Sequence, residues 1–164
     1  RKDWLNLTLV NNLKGALGNP EDKDINIKVD KGVVYIDIPD KLLFKSGRFD
    51  ITDKAKQVLG KVAMVLKDQP EMELTVEGHT DNVPFSGGVL MDNWDLSGKR
   101  ATAVVRVLQK DHGLNPARMA AAGRSEFNPV ADNANAEGKA ANRRIRIVIL
   151  PQPDQFFQLL EKKI

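Results

Sequence analysis

Three charged residues are placed to do chemistry: Asp81, Arg100 and Arg143. The stretch 78–101 reads GHTDNVPFSGGVLMDNWDLSGKRA. A β-rich run ends at its start, a long polar loop follows, and a helix then opens. Asp81 sits where the strand gives out, and Arg100 falls in the first turn of the expected helix. A cation there opposes the helix dipole, so an arginine in that place suits an anionic visitor. A solvated surface arginine is the equal alternative. Arg143 opens the last strand on the face of Ile145, since residues two apart share a face. If these ends meet, one carboxylate and one or two guanidiniums form the complement of a zwitterion. The acid takes an ammonium and an arginine takes a carboxylate bidentately. The competing reading is an internal salt bridge, Asp81–Arg100 or Asp81–Arg143, and on the residues alone it is the stronger one.

Other chemistry is thin. His79 and His112 are far apart, with no metal-ligand spacing, and there is no cysteine. His79 and Asp81 would share a strand face, with Ser86 or Ser97 as a conceivable nucleophile, but no nucleophile elbow accompanies them. His79 reads as a half-buried strand histidine. Gly87-Gly88 lacks the ending of a phosphate loop. Trp94 reads as a lid or core anchor rather than a stacking platform. The Asn-rich loop 128–135 reads as turn chemistry. On the residues alone, enzyme readings are weak.

The elements that must position these residues follow from periodicity. The chain has 164 residues, 41% hydrophobic and only 5% aromatic, so the core must be built from Val, Leu, Ile and Ala. The net charge of +3 comes without a Lys/Arg block, which argues against a nucleic-acid partner. Residues 4–17 carry a narrow stripe of Leu5, Leu9, Leu13, Ala16 and Leu17, ended by Gly18 and Pro20. That helix either packs on the domain or ends an upstream coiled coil, and a start outside this chain is the favoured reading. Residues 24–29 and 33–38 alternate around Lys31-Gly32 and predict a β-hairpin. Leu42, Leu43 and Phe44 form a short apolar plug. Residues 52–68 predict an amphipathic helix capped by Thr52 or Asp50, with Gly60 allowing close packing on the sheet. Residues 72–79 predict a strand, 81–95 a loop, and 98–111 a helix with Ser97 as N-cap and Gly113 as its stop. Residues 117–122 predict a weak strand, 124–138 a loop, 144–150 a strand and 154–163 a last helix. The fold class is an α/β (α+β) sandwich. Its mixed β-sheet is covered on one face by two main helices, in the order hairpin then βαβαβ-like, with extra terminal helices. The expected division is 1–20 as N-terminal helix, 21–150 as the domain and 151–164 as C-terminal helix. The opening RKDW, without Met, reads as the start of a fragment, so any membrane anchor would lie outside it.

Three motifs appear in order: GHTDNVP, NWDLSGKRATAVVRVL, and AAGRSEFNPVADNANAEGKAANRRIRIVI. As a set, over about residues 42–150, they resemble the OmpA-like (OmpA/MotB) peptidoglycan-binding domain. The resemblance implies a periplasmic domain, in the envelope of a Gram-negative cell, that holds the cell wall non-covalently through the diaminopimelate of the stem peptide. It implies neither a catalytic residue, a cofactor nor a metal. It implies that Asp81 takes the free amino group of that residue and Arg100 its carboxylate. Asn93 would hydrogen-bond the ligand, Thr80, Leu96 and Arg143 would complete the pocket, and Asn142 would order its neighbours. The details look most like outer-membrane-attached OmpA-family proteins of the Bacteroides kind. Departures are a loop before Asn93 that is longer than usual, Lys139 in place of Arg, and Ser125 where Gly is common. The alternatives are a flagellar stator wall anchor, a peptidoglycan-cleaving enzyme, and a purely structural dimerisation domain using the terminal helices, with a homodimer as its product.

Overall fold

The computed structural model describes residues 2–18 and 24–150. The expected helix over 154–163 lies outside the described residues.

Two positive-φ residues, Lys31 (51°) and Gly32 (81°), make the tight turn that the hairpin needs. They join β1 (Asn26–Asp30) to β2 (Val33–Pro39) in antiparallel register, with Val29 opposite Val34. β3 (Glu73–His79), β4 (Met119–Gly123) and β5 (Arg144–Leu150) complete a five-stranded sheet in the order β1-β2-β5-β3-β4. Only the β3–β4 pair is parallel. The last strand therefore inserts in the middle, between β2 and β3. This places the start of β5 beside the end of β2 and the end of β3, and all three ends bear charge.

The alternation read from the sequence is the pleat itself. Ile36, Ile38, Leu74, Val76, Ile145 and Ile147 are fully or almost fully buried on one face. Tyr35, Asp37, Glu77, His79, Arg144 and Arg146 lie on the other, as the period of two requires. Helix α1 (Lys2–Ala16), α2 (Asp53–Lys67) and α3 (Asn93–Arg106) cover the apolar face. Three helices rather than two share this face, because Leu9, Leu13 and Leu17 of the N-terminal stripe are buried in the same core. The stripe therefore packs on the domain.

Local caps set the helix limits. Thr52 caps α2 by accepting from the Ala55 N–H at 3.2 Å. Gly60 does not approach the sheet: a Cβ there would lie 2.8 Å from Cε1 of His112, whose Nε2 bonds the Lys56 carbonyl at 2.8 Å. The far end of α2 is closed by Arg118. Its guanidinium donates to the carbonyls of Met72 (2.7 Å), Leu66 (3.2 Å) and Gln69 (2.6 Å) while almost fully buried.

Helix α3 starts earlier than the sequence suggested. Asp92, not Ser97, is the N-cap and accepts from the Asp95 N–H at 3.1 Å. Asp95 reaches back to the Met91 N–H at 2.8 Å, a reciprocal capping arrangement. The helix continues through a wider turn, Val107–Asp111, and stops at Gly113 (φ 71°) as expected. A fourth helix, α4 (Ala136–Asn142), occupies the end of the expected loop; Asn135 caps it by accepting from the Gly138 N–H at 2.7 Å.

Candidate functional site

At the ends of β2, β3 and β5 the chain encloses an open pocket of about 580 Å³. Six of the seven expected site residues line it: Thr80, Asp81, Asn93, Leu96, Arg100 and Arg143. Asn142 is not in the pocket. Its fully buried amide accepts from the N–H groups of Val130 and Ala131 and donates to the Ala131 carbonyl and to Asn133 Oδ1. It orders the 130–133 loop and fixes the backbone that presents Arg143.

Helix α3 brings Asn93, Leu96 and Arg100 to the pocket on one face, at the three- and four-residue spacing of a helix. Because α3 starts at Asn93, Arg100 lies about two turns in. The dipole argument for a cation in the first turn therefore does not apply. What holds α3 in place is the absence of side chains opposite it. Gly78 of β3 packs on the Ser97 carbonyl. A Cβ on Gly123 of β4 would lie 2.8 Å from both the Gly98 nitrogen and Ser97 Oγ. Ser97, buried inside the helix, donates to the Trp94 carbonyl and accepts from the Ser125 N–H. Ser125 has φ 54°, a left-handed conformation that suits glycine. The Ser125 carbonyl in turn takes the Thr80 N–H at 2.9 Å.

The Asp81 carboxylate is positioned by its own loop. Oδ1 accepts from the Val83 N–H at 3.0 Å, and Asn93 pins the loop by donating to the Val83 carbonyl at 3.0 Å and the Asp81 carbonyl at 3.4 Å. The Thr80 hydroxyl donates to the Asp81 carbonyl at 2.8 Å.

The arginines do not pair as the sequence alone allowed in its first form. Asp81 Oδ2 accepts from Arg143 Nη1 at 2.6 Å, whereas Arg100 Nη1 donates to Asp40 Oδ2 at 3.0 Å. Asp40 Oδ2 is also 3.7 Å from Arg143 Nε. The four side chains thus form a run of alternating charge, Asp81–Arg143–Asp40–Arg100, with no net charge. Arg100 is further held by donation from Nε to the Arg48 carbonyl at 2.7 Å and by the Phe44 ring 4.7 Å from its guanidinium carbon. Asp40, Arg48 and Phe44 were not recognised from the sequence as site residues. Asp40 follows β2 directly, so its role appears only once β2 is known to pair with β5.

His79 does not join Asp81. The strand ends at His79, which lies on the opposite sheet face with Glu77. Burial pushes its pKa below 6.5, against the raising effect of the Glu77 bond. The contact at 3.2 Å is therefore a hydrogen bond from a neutral imidazole rather than an ion pair, which also leaves Nδ1 as a lone pair instead of an unmatched donor. Glu77 is held below 4.5, chiefly by the same bond and then by Arg124. Both groups bind fewer protons folded than unfolded. Stability is complete above about pH 6.5 and falls as the pH drops through the His79 range and then the Glu77 range. Urea midpoints at pH 7, 6 and 5 should decline for the wild type and decline less for His79→Gln. An equal decline in both would contradict a neutral buried His79.

The chain is similar to known proteins in both sequence and fold. Over 131 residues the chain is 30% identical to Motility protein B of Bacillus subtilis, covering 80% of this chain and 50% of that protein. The chain thus spans half the length of that relative. The fold is similar to that of a MotB-like protein from Desulfovibrio vulgaris, with TM-score 0.81, 28% identity, and 88% and 93% of the two chains covered. It is also similar to the cell wall anchor of the T6SS from Pseudomonas aeruginosa, with TM-score 0.77, 30% identity, and 85% and 97% covered. With the family's profile matching residues 43–143, which hold every lining residue of the pocket except Asp40 and Lys41, the chain belongs to the OmpA family.

Proposed function

We propose that this domain binds peptidoglycan non-covalently through the diaminopimelate of the stem peptide, and so anchors an envelope protein to the cell wall. The observation that carries the reading is the neutral run of alternating charge in an open pocket. A zwitterionic ligand exchanges partners there without leaving a charge unmatched. Its ammonium takes the place of Arg143 at Asp81, and its carboxylate takes Arg100. Each charge-assisted bond contributes on the order of 1.5–3 kcal/mol. Arg100 is already fixed by Phe44, the Arg48 carbonyl and Asp40, so little side-chain entropy is lost on binding. Asn93, Thr80 and Leu96 shape the wall of the pocket, and Asn142 acts through the loop behind Arg143. The similarity to a T6SS cell wall anchor supports the same reading. A polymeric wall offers many sites, so modest single-site affinity suffices for firm attachment.

No bond-breaking step is part of the proposal. The Ser97 hydroxyl is committed to two backbone groups, and His79 faces the other side of the sheet. The envelope location, a Bacteroides-type parent and its outer-membrane attachment rest on the sequence motifs. The match to Motility protein B supports a second reading, the wall anchor of a flagellar stator, which uses the same pocket.

Co-sedimentation with purified cell walls tests the binding. The wild type should pellet with the walls and release no soluble fragments, and folded Asp81→Ala should stay in the supernatant. Equal pelleting of the two proteins, or release of fragments, would overturn the proposal.

A further inference from the structure

Trp94 was expected to be a lid or an anchor in the core rather than a stacking platform, and its exposure rules out the core anchor. It is 53% exposed and lies beside Phe127, itself 63% exposed, with ring centroids 5.5 Å apart and planes 35° from parallel. Aromatic residues are few in this chain, with two tryptophans and six phenylalanines. Two of them standing together in solvent form an apolar shelf that the fold itself does not use.

The shelf is rigidly registered to the pocket. Trp94 directly follows Asn93, whose amide is bonded to the Asp81 loop. Phe127 stands two residues beyond Ser125, which is bonded to Ser97 of the same helix and to Thr80 of the pocket wall. Both rings therefore hang from backbone that also positions the charged site.

We propose that Trp94 and Phe127 form a saccharide subsite, on which a pyranose ring of the glycan strand stacks while the stem peptide occupies the pocket. This rests on the reading of the pocket given above. The chemistry fits the shelf: the face of an aromatic ring carries negative quadrupole, and the axial C–H groups of a β-linked pyranose present a flat, apolar, weakly positive surface. The covalent structure of the wall fits as well. Diaminopimelate is the third residue of the stem, so only a short tether, a lactyl group and two residues, separates it from the sugar. A domain that seats the peptide then has a sugar within the reach of that tether.

Calorimetry with two probes tests the inference: a disaccharide–tripeptide wall fragment and the free tripeptide of the same sequence. The wild type should bind the disaccharide form more tightly, by on the order of tenfold. Trp94→Ala, Phe127→Ala and the double variant should lose that advantage and keep the free-peptide affinity. Equal binding of both probes by the wild type, or an advantage that survives in the double variant, overturns the subsite. A third arm titrates a β-1,4-linked N-acetylglucosamine oligomer while the Trp94 indole N–H resonance is followed. A shift with the oligomer but no binding of the free tripeptide supports the subsite and overturns the pocket reading alone. No shift and no advantage overturns the subsite while leaving the pocket reading intact if the tripeptide binds. Concentration-dependent self-association that disappears in Trp94→Ala would make the shelf a contact between copies and overturn the proposal.

Discussion

Gly78→Ala is expected to destabilise the domain by about 3 kcal/mol or more, the upper range for forcing extra volume into a packed interior. A Cβ on Gly78 would be driven into the Ser97 carbonyl, which belongs to helix backbone and cannot rotate away. Helix α3 must then move off β3, and Asn93, Leu96 and Arg100 move with it. Thermal unfolding should show a drop of roughly 10 °C for a chain of this size, and ligand binding should weaken in the molecules still folded. Gly15→Ala is the control. Its added Cβ meets nothing within 4 Å on an exposed helical turn, so stability should rise by up to about 1 kcal/mol. A Gly78→Ala protein as stable as the wild type would contradict the close approach of α3 to the sheet.

The second large effect is at Arg118. Its charge has no carboxylate partner among the described residues. It is held by three backbone carbonyls at and just beyond the end of α2, where a helix terminus presents partial negative charge and unsatisfied acceptors. Burial lowers its pKa from the ordinary value, so the carbonyls must offset the desolvation. Arg118→Met keeps most of the side-chain packing and removes the donors. Leaving these acceptors unpaired should cost about 3 kcal/mol, less than a simple sum because such losses are not additive. Urea unfolding measures this directly. A loss below about 0.5 kcal/mol, the level of an ordinary surface substitution, would show that water replaces the guanidinium.

What the sequence revealed and what it hid divide along physical lines. The strands were legible because one sheet face is apolar and the other is largely polar, so Ile145, Ile147 and Ile149 alternate with Arg144, Arg146 and Val148, although Arg144 and Val148 are themselves buried. Helix α2 was legible because its apolar stripe and Thr52 cap agree. Helix α3 was placed too late because Asp92 and Ser97 are both good capping residues. Burial of Ser97 against Gly78 and Gly123, which decides between them, is a tertiary fact. Helix α4 was missed because AEGKAAN is short, weakly amphipathic and interrupted by glycine. It forms because Asn135 and Asn142 tie it to the loop before it. In the site, the sequence left Asp81–Arg143 as one of two possible salt bridges, and the structure forms that one. Asp40 was not foreseen, since its place beside Arg100 and Arg143 appears only once β2 is known to pair with β5. The ion-pair reading and the ligand reading proved compatible, because the charges that pair with one another are the charges a zwitterion would take.

The most direct measurement is calorimetric titration of a diaminopimelate-containing stem peptide into wild type, Asp81→Ala and Arg100→Ala, each checked for folding by circular dichroism. Binding by the wild type, weakened at least about 100-fold in both folded variants, is the result this account requires. A folded wild type that does not bind, or variants that bind as it does, would reduce Asp81 and Arg100 to members of structural ion pairs with Arg143 and Asp40.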